Sequence, residues 1–78
     1  MDLVIASATS HQEQAVSWVS FDTTEGNFTV LNGHAPAVWV LKPRSALVLG
    51  FADERQETVL VPGGVVEVTR TGVQVLVA

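Results

Sequence analysis

Two histidines, His11 and His34, are the residues best suited to acid–base or metal chemistry in this chain. A nucleophile–histidine–acid arrangement needs a hydroxyl and a carboxylate gathered around one of them. No nucleophile-elbow pattern surrounds either. His34 sits in Asn32-Gly33-His34-Ala35-Pro36, a turn where its ring serves to bond a nearby carbonyl or to pack against a partner. His11 lies in the polar stretch Thr9–Gln14 and reads as a solvated loop residue. With Glu13 it makes two ligands, short of a metal site. Gly63-Gly64 lacks the Gly-x4-Gly-Lys-Ser/Thr loop and a following helix, so it reads as a bend at a strand start rather than a phosphate cradle. Lys42 is the only lysine, and it precedes Pro43 without the flanking residues of a lipoyl or biotinyl attachment hairpin. No catalytic residue, metal or cofactor is expected.

Trp18 and Trp39 have the ring area to stack on bases or sugars. The cations that a nucleic-acid groove needs are missing, because Lys42, Arg44, Arg55 and Arg70 are few and dispersed. Trp39 lies in the unbroken apolar run Ala37–Leu41 and reads as core or interface. Trp18 alternates against Val19 and Phe21. If those two point inward, Trp18 points out, either as an interface anchor, since an indole buries a large area at low entropic cost, or partly buried within the domain itself.

Composition sets the frame for these residues. Seventy-eight residues make one domain, taken as 1–78. Eight acids against four bases give a net charge of −4, which disfavours nucleic acid and anionic lipid. Cysteine is absent, so no disulfide framework or thiolate chemistry enters. Apolar residues reach 47% while charged ones are 15%, so much of the surface is neutral or is covered by a partner. No stretch approaches the ~20 apolar residues of a membrane-spanning helix. Met1–Ala6 lacks the basic region of a secretory signal.

The elements that must position these residues are strands. Period-two alternation and β-branched runs predict eight: Leu3–Ala6, Ala15–Asp22, Phe28–Leu31, Ala37–Leu41, Ala46–Leu49, Glu57–Val61, Val65–Thr69 and Val73–Val77. Turn signals separate them at Thr23-Thr24-Glu25-Gly26, Asn32-Gly33, Lys42-Pro43-Arg44-Ser45, Gly50–Gln56, Pro62-Gly63-Gly64 and Arg70-Thr71-Gly72. No window carries a helical period. The expected fold is all-β, a small sandwich or flattened barrel.

Four motifs in order carry a resemblance. They are Glu25-Gly26-x-x-x-Val30-Leu31-x-Gly33-His34-Ala35-Pro36, Leu41-Lys42-Pro43, Gly63-Gly64-Val65-Val66-Glu67-Val68, and Val73-Gln74-Val75-Leu76. From about Leu3 to Ala78 the chain resembles the N-terminal domain of the epsilon subunit of F-type ATP synthases, called delta in mitochondria. The resemblance implies a ten-stranded β-sandwich. It also implies a non-catalytic place on the central stalk, between the gamma subunit and the loops of the c ring, coupling ion-driven rotation to ATP synthesis. It maps the c-ring contact to Glu25, Gly26 and Asn27, and sets Gly33 and His34 at or near subunit contacts. Trp18 joins them as the outward aromatic. The implied location is peripheral, on the cytoplasmic face of the bacterial inner membrane. Asn32 stands where the family has Pro, Ala37 where Leu is frequent, and Arg44 where Gly is usual after Lys-Pro. The family commonly continues into a helical hairpin that inhibits hydrolysis and in some bacteria binds ATP. A chain ending at Ala78 is expected to do neither. The competing readings are a stand-alone β-sandwich that binds peptide or carbohydrate, and an enzyme built on His34.

Overall fold

The computed structural model describes all 78 residues, Met1 to Ala78. Nine strands follow one another without a helix: β1 (Asp2–Ala6), β2 (His11–Ala15), β3 (Trp18–Thr23), β4 (Gly26–Leu31), β5 (Ala37–Leu41), β6 (Ser45–Gly50), β7 (Gln56–Val61), β8 (Gly64–Val68) and β9 (Gly72–Val77). They pair in the order β2-β1-β9-β8-β5-β3-β6-β7, with β4 on the other side of β3. The link between β5 and β3 is the single pair Thr23↔Leu41. At that corner the sheet folds over. Five strands (β2-β1-β9-β8-β5) then face four (β4-β3-β6-β7) as a small sandwich. Every neighbouring pair is antiparallel except β1 with β9.

Alternation explains what lies between the sheets. Leu3 and Ile5, Val19 and Phe21, Val30, Leu41, Leu47 and Leu49, Val61, Val66 and Val68, and Val73 and Val75 each occupy the inward parity of their strand and are buried. The expectation that Val19 and Phe21 point inward holds. All eight expected strands are present, within a few residues of their predicted bounds. The count is nine, against the ten implied by the resemblance.

The added strand is the principal correction. Thr9–Gln14 was expected to be a loop, yet His11–Ala15 pairs residue for residue with β1, from Asp2↔Ala15 to Ala6↔His11. As an edge strand it buries no side chain, and its residues are exposed or half-exposed. Its strand character comes from backbone pairing alone, so hydrophobic periodicity does not register it. His11 is therefore a strand residue, and its Nε2 lies 3.3 Å from the Glu13 carboxylate on the exposed face.

The alternation predicted as one strand over Ala15–Asp22 is also divided. The chain passes from the five-stranded to the four-stranded layer at Val16-Ser17. There Val16 N–H donates to Met1 O (2.9 Å), the terminal ammonium donates to Val16 O (2.9 Å), and Ser17 N–H donates to Gly50 O (2.7 Å). The crossing turns Val16 into the core, although its parity with Trp18 placed it outside.

The Lys42–Ser45 turn adopts the backbone that glycine would favour. Pro43 holds its second position, and Arg44 takes the left-handed region at φ 52°. This is the type II pattern, with an arginine carrying a conformational cost of about 1–2 kcal/mol. The Ser45 hydroxyl donates to Lys42 O at 2.8 Å and Arg44 N–H to Pro62 O at 3.0 Å, which holds the turn despite that cost.

Candidate functional site

The residues singled out from sequence fall into two groups at opposite ends of the sandwich. Glu25, Gly26 and Asn27 form the tip and first residues of the β3–β4 hairpin. Gly33, His34 and Trp18 lie at the other end of the same strands. The six residues of β4 separate the two turns by about 17 Å. They are two surfaces, and no single partner atom reaches both.

The hairpin tip is braced from below. Thr23 and Gly26 pair across it, leaving Thr24 and Glu25 as the two-residue turn. Thr23 is fully buried; its hydroxyl donates to Gly26 O (2.8 Å) and accepts from Glu25 N–H (3.0 Å). Two bonds tie the tip to β5 and its following turn: Thr24 N–H to Val40 O (3.3 Å) and Lys42 N–H to Asp22 O (3.1 Å). On the outer face the Asn27 amide donates to the Asp22 carboxylate (2.8 Å) and receives the Ser20 hydroxyl (3.4 Å). Asn27 thus stiffens the hairpin, while the Glu25 side chain stands exposed at its apex without an ion-pair partner.

At the other end Leu31–His34 is a tight turn closed by His34 N–H to Leu31 O (3.2 Å). Gly33 takes φ 82° at its third position, which an L side chain resists. The His34 Nδ1 is 2.6 Å from Ala35 O, so Nδ1 carries the hydrogen and donates. The imidazole edge meets Trp39 at 5.9 Å between centroids. Trp39 in turn stacks on Phe28 (4.7 Å, 25°) and tilts against Phe21 (5.6 Å). These four rings pack together, Phe21 and its cross-strand neighbour Phe28 and the His34 imidazole all against Trp39 of β5. The expectation that the His34 ring bonds a nearby carbonyl is met. His34 gathers no hydroxyl or carboxylate partner and its polar contact is Ala35 O, so the geometry gives no support to an enzyme centred on it.

Trp18 is on the outer face, as its parity requires, but its indole is occupied. It lies across Gly50 on β6, where a Cβ would sit 2.0 Å from indole Cε2. Glycine in a strand leaves backbone uncovered, and an aromatic cross-strand neighbour covers it. Trp18 is consequently half-buried. Gly50→Ala is expected to push the indole off the sheet. The expected readout is a red-shifted Trp18 emission, with Trp39→Phe as background, and a loss of about 1–2 kcal/mol in urea unfolding, the usual scale of overpacking. Unchanged emission would show that Trp18 does not rest on Gly50.

The surface with the strongest interaction character was not singled out from sequence. On the outer side of the five-stranded layer, Val40 pairs with Val65, Val65 with Leu76, and Leu76 with Ala6, giving an apolar row across β5, β8, β9 and β1. Val38 extends it along β5. Val38 and Val40 are 64% and 56% exposed and Leu76 is 49%, high values for large aliphatic side chains placed side by side. Contiguous exposed aliphatics of this kind mark interaction surfaces. A signal was present in the sequence. Val38-Trp39-Val40 and Val65-Val66 are apolar on both faces of their strands, and a two-faced apolar strand needs cover on both sides.

Comparison with known proteins agrees with this architecture. The family described as "ATP synthase, Delta/Epsilon chain, beta-sandwich domain" matches residues 1–78. The ATP synthase epsilon chain of Rhodopseudomonas palustris (strain BisB5) is 41% identical over 61 residues, 78% of this chain and 44% of that protein. The epsilon chain of Nitrobacter winogradskyi is 39% identical over the same share. The chain thus spans less than half the length of these relatives. Among solved structures, a chain of the Euglena gracilis mitochondrial ATP synthase (OSCP/F1/c-ring) superposes with a TM-score of 0.88 at 22% identity, over 96% of this chain and 48% of that one. A chain of the Tetrahymena thermophila mitochondrial ATP synthase central stalk and c-ring gives 0.79 at 17% identity, over 97% and 61%. At those identities the superpositions establish the fold. With four sequence motifs, a matching sandwich and a family match over its whole length, this chain belongs to the ATP synthase delta/epsilon-chain β-sandwich family.

Proposed function

We propose that this domain is a non-catalytic rotor element of an F-type ATP synthase. It joins a gamma subunit to the c ring and transmits ion-driven rotation toward ATP synthesis. The observation that carries the reading is the pair of dissimilar surfaces on one stiff body. The apolar outer face of β5, β8 and β9 has the character of a permanent subunit interface. The Thr24–Glu25 tip is small, polar and braced by four backbone and hydroxyl bonds, which suits contact with the loops of a turning ring. In this reading gamma covers the apolar face, and Glu25, Gly26 and Asn27 meet the c ring. The domain then sits peripherally at the cytoplasmic face of the bacterial inner membrane. None of its elements is a helix long and apolar enough to cross a membrane.

Co-expression with the gamma subunit of the same organism tests this. The expected result is a stoichiometric complex that survives gel filtration, and that retains purified c ring only when both chains are present. A monomer that ignores gamma yet binds peptides or glycans would replace this reading with the stand-alone binding module.

A further inference from the structure

The outer face of the five-stranded layer is divided by charge. Its apolar row, Val40-Val65-Leu76-Ala6, borders a second row in which Val38 pairs with Glu67, Glu67 with Gln74, Gln74 with Val4 and Val4 with Glu13. Asp2 follows one step further along β1. Asp2, Glu13 and Glu67 line a shallow depression of about 350 Å³ beside the apolar row, with His11, Thr69 and Gln74. No lysine or arginine is among the residues that line the depression. Glu67 makes no ion pair within the chain, since the two that form are His11–Glu13 and Asp53–Arg55.

This arrangement discriminates between occupants. A second copy of the chain would bring the same three carboxylates to the depression, whose only basic side chain, His11, already faces Glu13, and like charges brought together across an interface cost several kcal/mol. The net charge of −4 opposes self-association further. A partner with an apolar ridge alone would strand Glu67, which stands directly beside Val38, as an unpaired carboxylate at the border of the buried patch.

Resting on the assignment of this face to gamma, we infer that the surface covering it is an apolar ridge flanked on one side by basic side chains. At least one lysine or arginine of gamma sits against Glu67, and the Asp2–Glu13 side receives the rest of that basic flank. The asymmetry also fixes polarity. The apolar row lies nearer the hairpin-tip end of the strands, where Leu41 pairs with Gly64, and the acidic row nearer the β8–β9 turn, where Asp2 pairs with Gly72. A partner therefore docks in one orientation, and its bases accelerate encounter as well as select it.

The test is association kinetics of this chain with the gamma subunit, at low salt and at about 0.5 M salt, where charge screening acts within about 4 Å. The wild-type on-rate is expected to fall with salt. Glu67→Lys is expected to lower the low-salt on-rate about tenfold and to flatten its salt dependence, with Glu67→Gln between the two. Glu57→Lys on β7, in the other layer, makes the same change in net charge and is expected to leave the rate within about twofold of wild type. If Glu67→Lys binds like wild type while Val40→Glu does not bind, the face belongs to gamma but its complement is not basic, and the inference is overturned. If neither substitution matters, the assignment of the face itself fails. Circular dichroism of each variant separates lost binding from lost fold.

Discussion

Val40→Glu is expected to weaken the proposed complex with gamma at least a hundredfold while leaving the domain folded. Val40 stands in the apolar row, with Val65 beside it on β8, Leu76 beyond on β9 and Val38 two residues along its own strand. In the free domain its side chain is 56% exposed, so a carboxylate there remains hydrated. The folding cost is confined to strand preference, within about 1 kcal/mol. That corresponds to a fall in Tm of about 4–8 °C for a chain of this size. In the proposed complex the same carboxylate would be enclosed among aliphatic groups, at a cost of several kcal/mol. A hundredfold loss is about 2.7 kcal/mol, well inside that range. Leu60→Glu is the control. Leu60 is more exposed still, at 80%, but it lies on β7 in the other layer and its replacement is expected to leave gamma binding unchanged. Equal loss in both variants would mean that general surface hydrophobicity, rather than this face, drives association.

Gly64→Ala is expected to unfold the domain or bring it close to unfolding, whereas Gly63→Ala is expected to cost about 1–3 kcal/mol. Both glycines hold a positive φ, 143° at Gly63 and 146° at Gly64. Their surroundings differ. A Cβ on Gly63 would meet nothing closer than Pro43 Cα at 3.8 Å, so its penalty is conformational only. A Cβ on Gly64 would fall 2.1 Å from Leu76 O and 3.1 Å from Val77 Cα. Those are backbone atoms of the paired strand, and they cannot yield without opening Gly64↔Val77 and, on the other side, Leu41↔Gly64. Gly64 thus sits where β5, β8 and β9 are tied together near the sheet corner. The combined cost is expected to be about 4 kcal/mol or more, which rivals the whole stability of a domain this size, about 4–12 kcal/mol. Urea unfolding of the two variants side by side is the measurement. Equal losses would show that backbone strain alone, and no steric block, accounts for Gly64.

Most of the strand framework was legible in the sequence because burial imposes period two. Val19 and Phe21, Leu47 and Leu49, Val66 and Val68, and Val73 and Val75 each announce a strand and its inward face. The turns were legible for a related reason. Gly33 and the Gly63-Gly64 pair mark backbone that other residues resist, and Pro43 fixes its own φ. Arg44 shows the limit of that reasoning, since an arginine occupies a left-handed position that hydrogen bonds from neighbouring segments hold in place. β2 was illegible because an edge strand without buried side chains leaves no hydrophobic trace.

The candidate surfaces divide along the same line. Sequence identified Glu25, Gly26, Asn27, Gly33, His34 and Trp18 as residues in unusual local settings. The tertiary structure separated them, with the hairpin tip at one end of the sandwich and the His34 turn at the other. It gave Asn27 and Trp18 intramolecular work, on Asp22 and Gly50. It also assembled the apolar face, whose members come from β1, β5, β8 and β9 and are up to 70 residues apart in sequence (Ala6 to Leu76). What the sequence determined by itself was the alternation, the turns and hence the all-β class. Which strands become neighbours, which outward residues line up as one surface and where the charges fall beside it are set by long-range pairing. That pairing follows from closing two layers over a common core, and no local signal encodes it.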